Sequence, residues 1–246
     1  MSLPPVVDRT EWLAARRALL EEEKALTRAR DALSARRRML PMVEVEKEYR
    51  FTGPDGPLTL RDLFGPHRQL IVQHVMFGPD WDDPCPGCSA AADEHAAGLD
   101  AHLRARDTAF VAVSRASIER LSAARADRGW VFPWVSSAGS DFNYDFHVSL
   151  DPERAPVAFN FRDATELEAA GMGWLTEGPS EQPGFSVFLR QGDRVFHTYS
   201  TYARGMEAVG GGYYFLDLTP LGRQEDWEEP KGRVADPGPP RPDFGD

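Results

Sequence analysis

The chain contains two cysteines, and they stand two residues apart as Cys85-Pro86-Gly87-Cys88. At that spacing a thiolate at the start of a helix can attack a disulfide and then pair with its neighbour. The same sulfurs could be two ligands of a soft metal, with copper or zinc as the ion and His74 as third ligand. A strand histidine satisfied by hydrogen bonds is the other reading of His74. A four-ligand zinc knuckle lacks its second cysteine pair. A static disulfide, or two small core residues, suits a short secreted domain better than a chain of 246 residues.

The elements around the pair have the pattern of a redox site. Gln69–Phe77 is apolar and rich in β-branched residues, which predicts a central strand covered on both faces. Gly78-Pro79-Asp80 ends it, and Trp81 to Pro84 form a short loop in which Trp81 can wall the thiol. Ser89–Arg106 is rich in alanine and free of proline, so it is predicted as one helix. Cys85 then sits at the helix N-terminus, where the dipole and unpaired N–H groups favour a thiolate. Cys88, a turn further in, is the more buried, resolving thiol. Asp82 and Asp83 act in the opposite direction and raise the Cys85 pKa unless they turn to water.

Asp8 to Leu40 reads as one long helix, with Asp8 and Glu11 as a capping box and Pro41 as the stop. Trp12, Leu19, Leu26, Leu33 and Leu40 recur every seven residues, but the companion positions Ala15, Glu22, Ala29 and Arg36 are poor for a coiled coil. Such a stripe either straps the helix to its own domain or packs across a homodimer. Tyr49–Phe51 and Leu58–Leu60 flank Gly53-Pro54-Asp55-Gly56-Pro57, a hairpin signal. Arg61–Phe64 is a helical turn. Thr108–Ser114 is a second core strand and Ile118–Arg128 a second helix. Val131–Val135 is apolar, although Pro133 assigns it to an edge or an irregular extension. Ser136–Phe146 reads as a loop with one helical turn. Pro183–Tyr199 reads as an antiparallel hairpin turning at Gly192-Asp193, and Leu216–Arg223 as a last helix. The organisation is a helical extension over residues 1–42, a domain over 43–227 with an insertion near 151–182, and a Pro/Gly-rich disordered tail over 228–246.

Strand, cysteine-bearing helix, strand, helix, then a proline opening an antiparallel hairpin: this is the order of the thioredoxin-like α/β fold, a central mixed sheet flanked by helices. Pro183 takes the place of the proline that faces the dithiol in that fold. Several stretches carry a more specific likeness. Phe77-Gly78-Pro79-Asp80-Trp81, Val113-Ser114-Arg115, Trp134-Val135-Ser136-Ser137, Ser140–Phe146, Val195–Gly205 and Leu216-Asp217-Leu218-Thr219-Pro220 resemble a bacterial thioredoxin-like family catalogued as a domain of unknown function. The resemblance covers nearly the whole chain and implies a thioredoxin-like fold without naming a substrate. That family is similar to peroxiredoxins in having a hairpin before the first core strand. Peroxiredoxins place Thr or Ser three residues before the peroxidatic cysteine; Asp82 stands there in this chain, which weakens the expectation of peroxidase activity.

Other residues carry alternatives. Arg115 could offset Asp82 and Asp83, bind an anionic substrate, or pair with Glu119. Asp141, Asn143, Tyr144, Asp145 and His147 are spaced like a carboxylate metal loop but lack the glycine and terminal glutamate of an EF-hand; a hydrogen-bonded loop is the plainer reading. His197, Tyr199 and Tyr202 could turn one face to the dithiol or form an aromatic ladder. A formal charge of −11 argues against nucleic acid and anionic membranes as partners. The sequence shows neither a signal peptide nor a membrane-spanning run, so the expected location is the cytoplasm. Phosphate-loop and dinucleotide glycine patterns are missing. The expected activity is thiol–disulfide oxidoreduction by Cys85 and Cys88, with weak peroxide reduction at most. Trp81, Pro183 and Arg115 would bind the substrate, a protein or small-molecule disulfide or a peroxide. A cellular reductant completes the cycle, with no cofactor required. The rival readings are the copper or zinc protein and a noncatalytic, dimerising partner-binding module.

Overall fold

A strand that is apolar at successive positions needs cover on both faces, and the segment beginning at Gln69 has it. The computed structural model describes residues 3–209, 211–224, 229 and 231. In chain order the elements are helix α1 (Arg9–Arg37), strands β1 (Val43–Glu44), β2 (Arg50–Gly53), β3 (Gly56–Thr59) and β4 (Gln69–His74), helices α2 (Pro86–Asp93) and α3 (Ala97–Arg104), strand β5 (Thr108–Ser114), helix α4 (Ile118–Asp127), strand β6 (Trp134–Ser136), helix α5 (Phe142–Asp145), strands β7 (Ser149–Leu150), β8 (Ala158–Phe159) and β9 (Arg162–Asp163), helix α6 (Ala164–Ala169), strands β10 (Ser180–Glu181), β11 (Gly184–Gln191) and β12 (Arg194–Tyr202), and helix α7 (Gly212–Leu216).

The main sheet runs β1-β12-β11-β4-β5-β6-β2-β3. β4, β5 and β6 are parallel neighbours, while β11 is antiparallel to both β4 and β12. This mixed sheet, with the cysteine-bearing α2 between β4 and β5, is the thioredoxin-like arrangement. Alternation along the strands divides the core in two. Leu70 and Val72 of β4 and Val111 and Val113 of β5 join Phe51, Phe64, Phe142, Phe146 and Phe188 on one face. Ile71, Val75, Phe110 and Ala112 point the other way, where Cys88, Ala92, Leu121, Phe132 and Trp134 pack on them. A third cluster, Val148, Leu150, Phe159, Leu167, Leu175 and Tyr202, holds the segment between α5 and β11 together.

Three local expectations need correction. The predicted Ser89–Arg106 helix breaks into α2 and α3, because His95 drops into the core against Phe110 (ring centroids 4.2 Å) and Phe132 (5.2 Å); Ala96 then turns to extended backbone and caps α3. β6 is interior rather than an edge. Pro133 precedes it and needs no N–H there: its carbonyl accepts from Ala112 N–H at 2.8 Å. Among the described residues the last helix is α7, which ends where the predicted Leu216–Arg223 helix would begin; residues 217–223 form turns around Thr219-Pro220. Between 151 and 182 the chain forms only two-residue strands, with β10 paired to β7 and β8 to β9, and α6 has a full capping box between Asp163 and Glu166. The expected tail, 228–246, lies outside the described residues apart from Glu229 and Lys231.

The chain divides into two compact units, one of Met1–Pro41 with the segment from Gly212, the other centred on Met42–Gly211. In the first, Asp8 accepts from Glu11 N–H at 2.8 Å to start α1, and the Arg30 guanidinium lies over the Tyr214 ring at 5.7 Å. Trp12, Leu19, Leu26 and Leu33 of α1 are each about half exposed. The second unit contains the sheet and both cysteines.

Candidate functional site

β4 delivers the chain to the site and α2 receives it. Val75 N–H still bonds to Val113 O at 3.0 Å beyond the last ladder pair, and Ala116 N–H holds Phe77 O at 2.9 Å. The chain then loops out and returns: Cys85 N–H donates to Met76 O at 2.9 Å. Cys85 is the N-cap of α2, and Pro86 follows at the first helical position, where a missing N–H costs nothing. Both thiols are free; Cys85 is half-buried and Cys88 buried. Their environments push them apart. A hydrogen bond from the Cys88 thiol outweighs burial at Cys85, the Cys88 and Gly87 backbone N–H groups add to it, and together they lower the Cys85 pKa to about 5. The same pairing, burial and the Cys85 charge raise Cys88 well above an ordinary thiol, against a small opposing pull from Met76 N–H.

Trp81 packs on the same cluster as Cys85 and Met76. Its indole lies on Gly78, where a Cβ would stand 2.9 Å from Trp81 Nε1; only glycine allows that approach. Pro183 precedes Gly184, which pairs with His74. It therefore stands at the end of β4 from which the cysteine loop departs. Phe185 packs on the cluster that holds Cys85. Asp82 and Asp83 do not press on the sulfur as expected. Asp82 is fully exposed and lies 3.5 Å from Arg120, and Asp83 lies 3.4 Å from Arg128.

Three other candidates are drawn elsewhere. Arg115 meets neither the loop acids nor Glu119: its Nη1 donates to Glu181 Oε1 at 2.8 Å, and its guanidinium lies over Tyr144 at 4.7 Å. Glu181 also accepts from Ser149 Oγ at 2.6 Å. Burial raises the Glu181 pKa, against the pull of Ser149 and Arg115. The guanidinium is thus engaged by a buried carboxylate and an aromatic ring. His74 is buried on the sheet face opposite the cysteines, beside Phe142 and Phe146. Its Nε2 meets Ser186 Oγ at 2.9 Å, followed by Ser200 Oγ at 2.9 Å and His197 Nε2 at 2.8 Å. The copper or zinc site of His74, Cys85 and Cys88 is therefore not assembled. No group of three or more His, Cys, Asp or Glu side chains suited to a metal converges among the described residues. A bulge at Val187/Phe188 leaves Thr198 as the extra residue in β12, and His197 turns to Phe146 and Phe188, away from the dithiol. Asp141 and Asp145 bond to Lys47, and Tyr49 Oη also reaches Asp145, so the polar loop is a charge-paired structural element.

The sequence reading missed Arg120 and Arg128, the partners of the loop acids on α4 and at its cap. The available signal was two arginines eight residues apart after β5, opposite an Asp82-Asp83 pair. Among known families, the one described as "Bacterial protein of unknown function (DUF899)" matches residues 1–236. Among solved structures, the chain is similar to peroxidoxin BcpB from Mycobacterium tuberculosis (14% identity, 69% of this chain and 90% of that one, TM-score 0.46). It is also similar to a mutant PrxQ from Xylella fastidiosa (13%, 69% and 91%, 0.42) and to peroxiredoxin Q from Xanthomonas campestris (16%, 65% and 83%, 0.39). Comparison with curated proteins returns no match.

Proposed function

The chain belongs to the DUF899 family of bacterial proteins of unknown function, and we propose that it is a thiol–disulfide oxidoreductase with Cys85 as nucleophile and Cys88 as resolving thiol. The observation that carries this reading is the pairing of a half-buried sulfur at a helix N-cap with a buried one on the first turn of the same helix. A pKa near 5 makes Cys85 a thiolate at neutral pH.

The Cys85 thiolate attacks one sulfur of a substrate disulfide. A mixed disulfide forms, and the other substrate sulfur leaves as a thiolate that takes a proton from solvent. Cys85 then carries no charge, so two of the influences that raise the Cys88 pKa, its bond to the thiolate and the thiolate's charge, disappear. Cys88 loses its proton and attacks Cys85 Sγ; a Cys85–Cys88 disulfide forms and the second substrate thiol departs. Two electrons pass from the pair to the substrate, with one proton given up by Cys88 and one taken from solvent, and an external thiol reductant restores the pair. Trp81, packed on the cluster that holds Cys85, and Pro183, at the end of β4 from which the cysteine loop departs, would receive the substrate. A peroxide would be a poorer substrate, since Asp82 stands where a hydroxyl would hold it.

Replacement of Cys85 by Ser should abolish reduction of insulin disulfides, and Cys88→Ala should accumulate the mixed disulfide, visible by mass spectrometry. Turnover unchanged in the Cys85 variant would end this reading.

A further inference from the structure

Residues 78–84 cross from β4 to α2 without helix or strand, and they place the sulfur. The ends of this crossing are fixed by backbone bonds from Ala116 N–H to Phe77 O and from Cys85 N–H to Met76 O. Its middle is held by a side chain of α4. Arg120 Nη1 donates to Pro79 O at 2.8 Å, its Nη2 lies 3.5 Å from Asp82 Oδ1, and its guanidinium lies 5.4 Å from the centre of the buried Phe77 ring. At the C-cap of the same helix, Arg128 reaches Asp83. It lies over Trp130, whose Nε1 donates to Asp93 at the end of α2 at 2.8 Å.

We propose that Arg120 is a positioning residue for Cys85, holding the Pro79 carbonyl and the Asp82 carboxylate so that the loop's negative charge stays turned from the sulfur. The inference rests on the dithiol reading. A planar guanidinium fork serves a carbonyl and a carboxylate of one loop at once, from a fixed donor geometry that a single ammonium lacks. The pair with Asp82 is too exposed to matter much for folding. Its effect is one of direction: a carboxylate three residues from a thiolate is kept facing water. Asp82 and Asp83 are not among the influences acting on Cys85 in this arrangement.

The test reads alkylation of Cys85 by iodoacetamide against pH, followed by mass spectrometry on the full chain. In Arg120→Gln the midpoint should rise by about half to one pH unit, as expected for a like charge released near a thiolate. Adding Asp82→Asn should return it, and Arg120→Lys should move it less than Gln does. Asp82→Asn alone, with Arg120 in place, should leave the midpoint where it is. A lower midpoint in that single variant would show Asp82 already acting on the sulfur, and would overturn the proposal even if Arg120→Gln failed to fold. An Arg120→Gln midpoint equal to the native one, in a protein with native circular dichroism, would overturn it while sparing the dithiol reading. A native midpoint at the ordinary thiol value would remove both.

Discussion

Cys88 acts directly on Cys85, because the hydrogen bond from its thiol is the largest influence keeping its neighbour ionised. In Cys88→Ala the alkylation midpoint of Cys85 should therefore climb from about 5, with the Gly87 and Cys88 N–H groups retaining part of the effect. Cys88→Ser keeps a donor and should move it less; equal midpoints in all three proteins would refute this account of the pair. The two sulfurs were legible from spacing alone, since a four-residue motif at a helix start constrains its own geometry. The directions of Asp82 and Asp83 were not, because they depend on Arg120 and Arg128, which reach the loop from a helix distant in sequence.

At the scale of elements, local pattern sufficed where the information was local. β4 and β5 follow from continuous apolar runs and the β2–β3 and β11–β12 hairpins from turn residues, and Gly192 takes the left-handed backbone its turn requires (φ 63°). It failed where a distant side chain decided. His95 breaks a good helical sequence because Phe110 and Phe132 offer it an aromatic slot, and Arg115 is claimed by Glu181 from across the fold. The close approach of β11 to β12 can be tested at Gly184. A Cβ there would stand 2.8 Å from Tyr202 Cδ1 and 3.2 Å from Val148. Tyr202 is fixed by its own bond to Phe146 O at 3.0 Å and has little room to yield. Gly184→Ala should lower stability by about 1–3 kcal/mol in urea titration, the usual cost of overpacking; a neutral result would mean the tyrosine moves freely.

For the molecule as a whole, the buried His74 couples folding to pH. Burial, with a smaller contribution from His197, lowers its pKa from 6.5 to about 3. Between those values the unfolded chain binds the proton and the folded one does not, so the stability His74 contributes is complete above pH 6.5 and is lost as pH falls towards 3. The slope should reach about 1.4 kcal/mol per pH unit. Glu181, raised by burial, has the opposite slope above its ordinary value, so the comparison is between native protein and His74→Gln. The native protein should lose more stability than the variant between pH 7 and pH 5; parallel curves would show that His74 is protonated in the fold. From its order of residues alone, the chain determined a dithiol at a helix start, the strands on either side of it and the hairpin that follows, because each is specified by neighbours within a few residues. Only the tertiary structure decided which face of the sheet each group joined. It sent His74 and His197 away from the sulfurs, tied Arg115 to Glu181 and brought Arg120 to the loop, because these contacts join segments whose separation in sequence carries no trace of their meeting in space.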